Sequence, residues 1–171
     1  MTNDKFVYSS EAISKLLGDA LKQVNRCHKH PIATVIETAD KKYILAVSGA
    51  PTGIKHDECA RKNYSSGEGL RLCYAVHSER RAISYSAKNG ISINGGTIYF
   101  SEWFPCAECS KSMIESGLVR LVTPDNYYED AEKRILVPRL KDKDYNFELS
   151  EKLLFEAGLE VIVDPNIRPQ C

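Results

Sequence analysis

Between Ile13 and Val24 apolar residues return every third or fourth position. Ile13, Leu16, Leu17, Ala20, Leu21 and Val24 follow Ser9 or Ser10 as N-cap, which predicts a first helix. The pattern then shortens. Ile32 to Ile36 and Tyr43 to Val47 are β-rich apolar runs, and the polar Thr38-Ala39-Asp40-Lys41 between them predicts a hairpin. From Ser48 to Leu72 the chain is polar and glycine-bearing, and reads as a long loop. Loops of that length are usually functional, stapled by metal or disordered. A second helix opens near Val76 or His77 and stops at Asn89-Gly90; Thr97 to Ser101 follows as a strand. Pro105 suits the first turn of a helix running to Gly117 with Met113 and Ile114 inward, and Leu118 to Val122 is again a strand. The charged stretch Tyr127 to Lys143 is expected to form a helix interrupted near Pro138. Glu148 to Ala157 reads as a helix stopped by Gly158, and Leu159 to Val163 as the last strand. The tail after Asp164 is expected to be weakly ordered.

This order, one helix, a hairpin, then strands separated by helices, is an α/β arrangement. More than thirty residues with helical character join the last two strands, so these should be parallel neighbours. No internal repeat or low-complexity tract interrupts the pattern. A chain of 171 residues suffices for one well-cored domain, expected to span the whole of it.

Composition narrows the function classes. Lys+Arg and Asp+Glu are both 23, so no global field draws the chain to nucleic acid or a membrane. No apolar run approaches the ~18 residues of a membrane span, and the first residues lack a signal-peptide pattern. The expectation is a cytoplasmic protein whose cysteines, Cys27, Cys59, Cys73, Cys106, Cys109 and Cys171, are thiols rather than disulfides. Intracellular cysteines grouped with histidines favour metal or catalysis.

Two short segments carry that chemistry: His77-Ser78-Glu79 and Pro105-Cys106-Ala107-Glu108-Cys109. Cys106 and Cys109 are spaced to put both sulfurs on one side of a first helical turn, where free N–H groups favour the thiolate that binds zinc. His77 at the other helix start adds a nitrogen. One nitrogen and two thiolates leave a fourth tetrahedral position open, the mark of a catalytic zinc, which can bring the pKa of water from 15.7 to about 7. Glu79, two residues past His77, can reach that water as the proton shuttle without binding the metal. H-x-E followed by P-C-x-x-C is the zinc nucleobase deaminase signature. A lone C-x-x-C or H-x-E is common by chance. Both together, in order and each at a helix start, are not.

With these residues the chain resembles the cytidine deaminase-like superfamily, and within it the deoxycytidylate (dCMP) deaminases. The likeness runs from about Cys27 to Val163 and includes SGAPTGIKHDEC, SSGEGLRLCYAVHSERRAI and TIYFSEWFPCAECSKSMIESG. It implies a three-layer α/β/α fold around a five-stranded mixed sheet. The implied reaction is zinc-dependent hydrolysis of dCMP to dUMP and ammonia, within pyrimidine nucleotide metabolism. A homo-oligomer and nucleotide allostery are also implied. Similar loops in that branch carry a structural zinc, for which Cys27, His56, Cys59 and Cys73 offer one nitrogen and three sulfurs, a closed shell. His28 and His30 flank the strand entry and read as solvent-facing. The branch normally has Tyr-Asn-Gly after its second strand, with the Asn on the substrate sugar; here Val47-Ser48-Gly49 stands there. Ser48, Ser78, Trp103 and Tyr127 are the expected substrate contacts, Trp103 by stacking on a pyrimidine. Trp103 before Phe104-Pro105 also resembles the polynucleotide cytosine deaminases, and the ERRAI ending the free-cytidine enzymes. Arg80 and Arg81 read as a solvated face or oligomer contact. The alternatives are a deaminase of free cytidine, deoxycytidine or another base, an enzyme acting on single-stranded nucleic acid, and an idle zinc module.

Overall fold

The structure is a computed structural model, and it describes residues 6–65, 68–124, 128–130, 135–136 and 145–169. Among these, α1 (Ser10–Leu21) is followed by β1 (Ala33–Glu37), β2 (Tyr43–Val47), α2 (Ser78–Lys88) and β3 (Thr97–Phe100). Then come α3 (Ala107–Glu115), β4 (Arg120–Thr123), β5 (Tyr128–Asp130), β6 (Ile135–Leu136), α4 (Phe147–Glu156) and β7 (Glu160–Val163). Ser9 caps α1 by accepting the Ala12 N–H at 3.2 Å. Among its described residues, the loop from β2 to α2 holds one 3₁₀ turn, Leu70–Leu72.

The main sheet has five strands in the order β2-β1-β3-β4-β7. β1 runs antiparallel to β2 and β3, with Val35 opposite Leu45 and Tyr99. β3, β4 and β7 are parallel, with Ile98 opposite Leu121 and Leu121 opposite Val161. The parallel pairing of the last two strands of this sheet follows from the long crossover between them.

Alternation along the strands feeds two cores. Val35, Tyr99 and Val122 face α1 through Ile13, Leu17 and Ala20, whereas Ile36, Ile98, Phe100 and Leu121 face Ala82 of α2, Met113 of α3 and Leu154 of α4. β1 is buried along its whole length, as a central strand covered on both faces must be. The result is three layers, α/β/α. α2, α3 and α4 all end in a Schellman motif; in α3 the N–H of Gly117 bonds Ile114 O at 3.0 Å and that of Leu118 bonds Met113 O at 3.2 Å. Gly117 has φ 77, and an added Cβ would lie 2.2 Å from Asn94 Oδ1.

Two expectations are corrected. In the charged stretch, the described residues Tyr128–Asp130 and Ile135–Leu136 form an antiparallel hairpin, not a helix. Charges at Glu129, Asp130, Lys133 and Arg134 resemble a solvated helical face, but the aromatic and β-branched residues beside them favour a paired ribbon. The chain past Asp164 is docked through residue 169: Ile167 is fully buried in the α1 core, and Asp164 accepts the hydroxyls of Tyr8 and Ser10, each at 2.7 Å.

Candidate active site

The site is assembled where the long loop returns to the sheet. Gly49 and Val76 exchange backbone hydrogen bonds of 3.2 and 2.8 Å, while Arg26 bridges Gly49 on its other side. A Cβ on Gly49 would lie 1.9 Å from Asn25 O, so only glycine allows this approach. Arg81 clamps the same corner, donating from Nη2 to the carbonyls of Gly49 and Ala50. The residue after the pinned Val76 is His77, extended at φ −61, ψ 145, and it is the N-cap of α2. Cys106, extended at φ −69, ψ 162, is the N-cap of α3, directly after Pro105. His77 makes no side-chain bond to its own helix, and its ring faces the start of α3.

His77 Nδ1 lies 3.5 Å from Cys106 Sγ and 3.3 Å from Cys109 Sγ, and the three ligand atoms fall within 4.8 Å of one another. The ligand–ligand edge of a tetrahedral zinc site with these donors is about 3.4–3.8 Å. The two nitrogen–sulfur distances fall within a few tenths of an ångström of that edge, and one nitrogen with two sulfurs is a donor set that fits zinc. The thiol hydrogen of Cys109 is shared with Cys106, which holds Cys106 at about 4, helped by His77 and against the effect of burial. Cys109 is pushed up in turn, first by that bond and then by burial. His77 is raised by its bond to Cys106, burial opposing. The pocket thus already favours negative sulfur beside positive imidazole.

Glu79 is 7% exposed, and its Oε2 accepts the Ser78 hydroxyl at 3.0 Å. Ser78 in turn accepts the hydroxyl of Thr34 on β1 at 2.7 Å. This buried relay aims the carboxylate, and among the described residues no cation pairs with it. Ser78, expected on the substrate, therefore bonds the carboxylate, and Thr34 is a supporting residue that the sequence alone did not reveal.

A cavity of about 570 Å³ opens over the cluster, inside the size range of small-molecule sites. Ser48, Ser78, Glu79 and Trp103 all line it. The Ser48 hydroxyl accepts the Ile32 N–H at 2.9 Å and donates to His30 O at 3.4 Å. Trp103 adopts φ 64, a left-handed conformation that costs a bulky residue about 1–2 kcal/mol and tends to mark functional sites. Thr123 holds it by donating its hydroxyl to Trp103 O at 2.7 Å. The indole stacks on His30 at 4.7 Å, and His30 pairs with Glu102 at 2.9 Å. The indole Nε1 is buried with no hydrogen-bond partner among the described residues. Phe104 lines the cavity and belongs to the core as well. Tyr127 lies outside the described residues.

The second set is not drawn together. Cys27, Cys59 and Cys73 are free thiols on the wall of the same cavity, but among the described residues only the His77 group has three ligand atoms within 4.8 Å. His56 is stacked on Tyr74 at 5.0 Å, and its Nδ1 is buried without a partner among the described residues. His28 is exposed and bonds His56 O at 2.6 Å.

A three-layer α/β/α sandwich with a His, Cys, Cys cluster at two helix starts and a buried Glu beside it is a metal site of the nucleobase-deaminase type. Residues 8–124 match the cytidine and deoxycytidylate deaminase zinc-binding region, and the chain belongs to that family. A probable deoxycytidylate deaminase of Drosophila melanogaster is 28% identical over 78% of this chain and 66% of its own length. The deoxycytidylate deaminase of Enterobacteria phage T4 is 40% identical over 30% of this chain and 26% of its own. The chain thus spans less than two thirds of the length of these relatives. Among solved structures, the dCMP deaminase of cyanophage S-TIM5 in complex with dCMP and dUMP superposes with a TM-score of 0.62 at 20% identity, covering 94% of this chain and 97% of that one. That likeness is one of fold.

Proposed function

We propose that the protein is a zinc-dependent hydrolytic deaminase of a cytosine nucleotide, converting dCMP and water to dUMP and ammonia. The observation that carries this reading is the His77, Cys106, Cys109 cluster, of which His77 and Cys106 line a cavity together with the Ser78-held carboxylate of Glu79. Family membership and deoxycytidylate deaminase relatives support the substrate.

His77 Nδ1 and the Sγ atoms of Cys106 and Cys109 would hold zinc, which when bound would supply a Lewis acid able to lower the pKa of water to near neutrality. Glu79 takes a proton from the attacking water, carries it to the ring N3 of cytosine, and delivers the next to the departing amine. The C4–N bond breaks, ammonia leaves and the C4 carbonyl of uracil forms. The Ser78 hydroxyl keeps the carboxylate on this path. Trp103 offers its ring to the pyrimidine. Ser48, whose hydroxyl already bonds the backbone of Ile32 and His30, stands nearer the sugar, with Tyr127 as a further substrate contact.

A second zinc on Cys27, His56, Cys59 and Cys73 belongs to the same reading. Its support is the orphaned Nδ1 of His56, a buried group that requires a partner, and three thiols around one loop. Binding there would need the loop to close. A homo-oligomeric, cytoplasmic enzyme acting on free nucleotide rather than nucleic acid completes the proposal; the balanced charge supports the last point. An ammonia-release panel of dCMP, CMP, dCTP, deoxycytidine, cytidine and a cytosine-bearing oligonucleotide tests it. dCMP should lead. An inert dCMP beside any active member would overturn the substrate.

A further inference from the structure

The charges on the cavity wall are not equally provided for. His30 pairs with Glu102, and Glu108 with Lys111. Arg61, in the loop between β2 and α2, is 7% exposed and has no carboxylate partner among the described residues. Its Nε donates to Glu68 O at 2.6 Å, and among the described residues neither Nη has an acceptor. Lys29 lies against it: Nζ donates to Arg61 O at 2.9 Å and to Tyr64 O, again with no carboxylate. Both residues line the cavity that holds the metal cluster and Trp103. The guanidinium has no counter-charge among the described residues, and its Nη groups are not buried, so the fork stays reachable from the cavity. Its planar fork fits a phosphate oxygen pair, and a neighbouring ammonium adds a second point charge.

We propose that Arg61, assisted by Lys29, binds the 5′-phosphate of the substrate and so sets the preference for nucleotide over nucleoside. This rests on the cytosine-nucleotide reading and places the pyrimidine at the His77 cluster and the phosphate at the loop. It gives the long polar loop a direct part in recognition. Arg80, exposed on the same wall, is not required, and Arg81 is committed to the carbonyls of Gly49 and Ala50.

The test compares zinc-loaded wild type with Arg61→Gln and Lys29→Gln. The ratio of kcat/KM for dCMP to that for deoxycytidine should fall at least about tenfold in Arg61→Gln, through KM for dCMP, as expected for one lost charge-assisted pair. Lys29→Gln should give a smaller fall in the same ratio. Damage to the loop alone would lower both substrates together and leave the ratio unchanged, which overturns the proposal. A readout without turnover uses Trp103, the chain's single tryptophan, on the same wall. Inorganic phosphate should change its fluorescence saturably in the wild type, and at least about tenfold more weakly in Arg61→Gln. No phosphate response in the wild type, or an equal one in the variant, overturns the proposal. If dCMP is inert yet phosphate still binds through Arg61, the substrate reading fails and the anion site stands.

Discussion

A carboxylate two residues from a metal ligand can move protons only while something keeps it off the metal. Here the Ser78 hydroxyl at 3.0 Å, itself bonded by Thr34 at 2.7 Å, holds the Glu79 carboxylate, and on the proposed mechanism this is what keeps it off the metal. Glu79→Gln should therefore retain the metal and the fold while kcat falls at least ~100-fold, the low end for loss of a general acid–base. Metal analysis beside steady-state rates checks this, and near-normal turnover would remove Glu79 from the mechanism. Ser78→Ala should be milder, about tenfold in kcat with KM little changed, because one hydrogen bond to a charged group is lost and the carboxylate remains. The sequence displayed His77, Glu79, Cys106 and Cys109 openly, since two fixed spacings encode them. It concealed Thr34 and Arg61. Thr34 reaches the site through strand pairing, and Arg61 through the path of an irregular loop; neither follows a local period. The left-handed backbone of Trp103 was likewise invisible, because nothing about tryptophan announces φ > 0.

Helix starts and helix ends were legible where a cap or glycine marks them, as at Ser9, Gly90, Gly117 and Gly158. The hairpin of β5 and β6 was not, because a short charged ribbon carries too little apolar alternation to be told from a solvated helix. The docked C-terminal segment was missed for a different reason: a single buried apolar residue, Ile167, and one carboxylate anchor it. Burial pushes the Asp164 carboxyl up, but the hydroxyls of Tyr8 and Ser10 outweigh this and hold it below its ordinary value of 3.8. A folded value below the unfolded one adds stability above the unfolded value, and that stability is lost as pH falls through the folded one. Asp164→Asn should thus lower Tm at neutral pH and flatten its decline in the acid range below the ordinary carboxylate value. A parallel shift of the whole pH curve would contradict that role. Gly49→Ala, forced toward Asn25 O, should destabilise by more than about 2 kcal/mol in denaturant unfolding and loosen the corner that places His77.

Two helix starts from the same layer, those of α2 and α3, converge at one end of the sheet, and the long loop supplies part of the cavity wall. Metal content probes that assembly. About two zincs per chain are expected, falling to about one when Cys59 and Cys73 are both changed to Ser, with the His77 site intact. One zinc in both proteins would dismiss the second site and leave the first untouched. The hydrolytic reaction itself is tested most directly by single turnovers of dCMP in water labelled with heavy oxygen. The account predicts dUMP carrying the label at the C4 oxygen, one ammonia per dUMP, and neither product from Glu79→Gln on the same timescale. Unlabelled dUMP, or no dUMP from fully zinc-loaded protein, would contradict it.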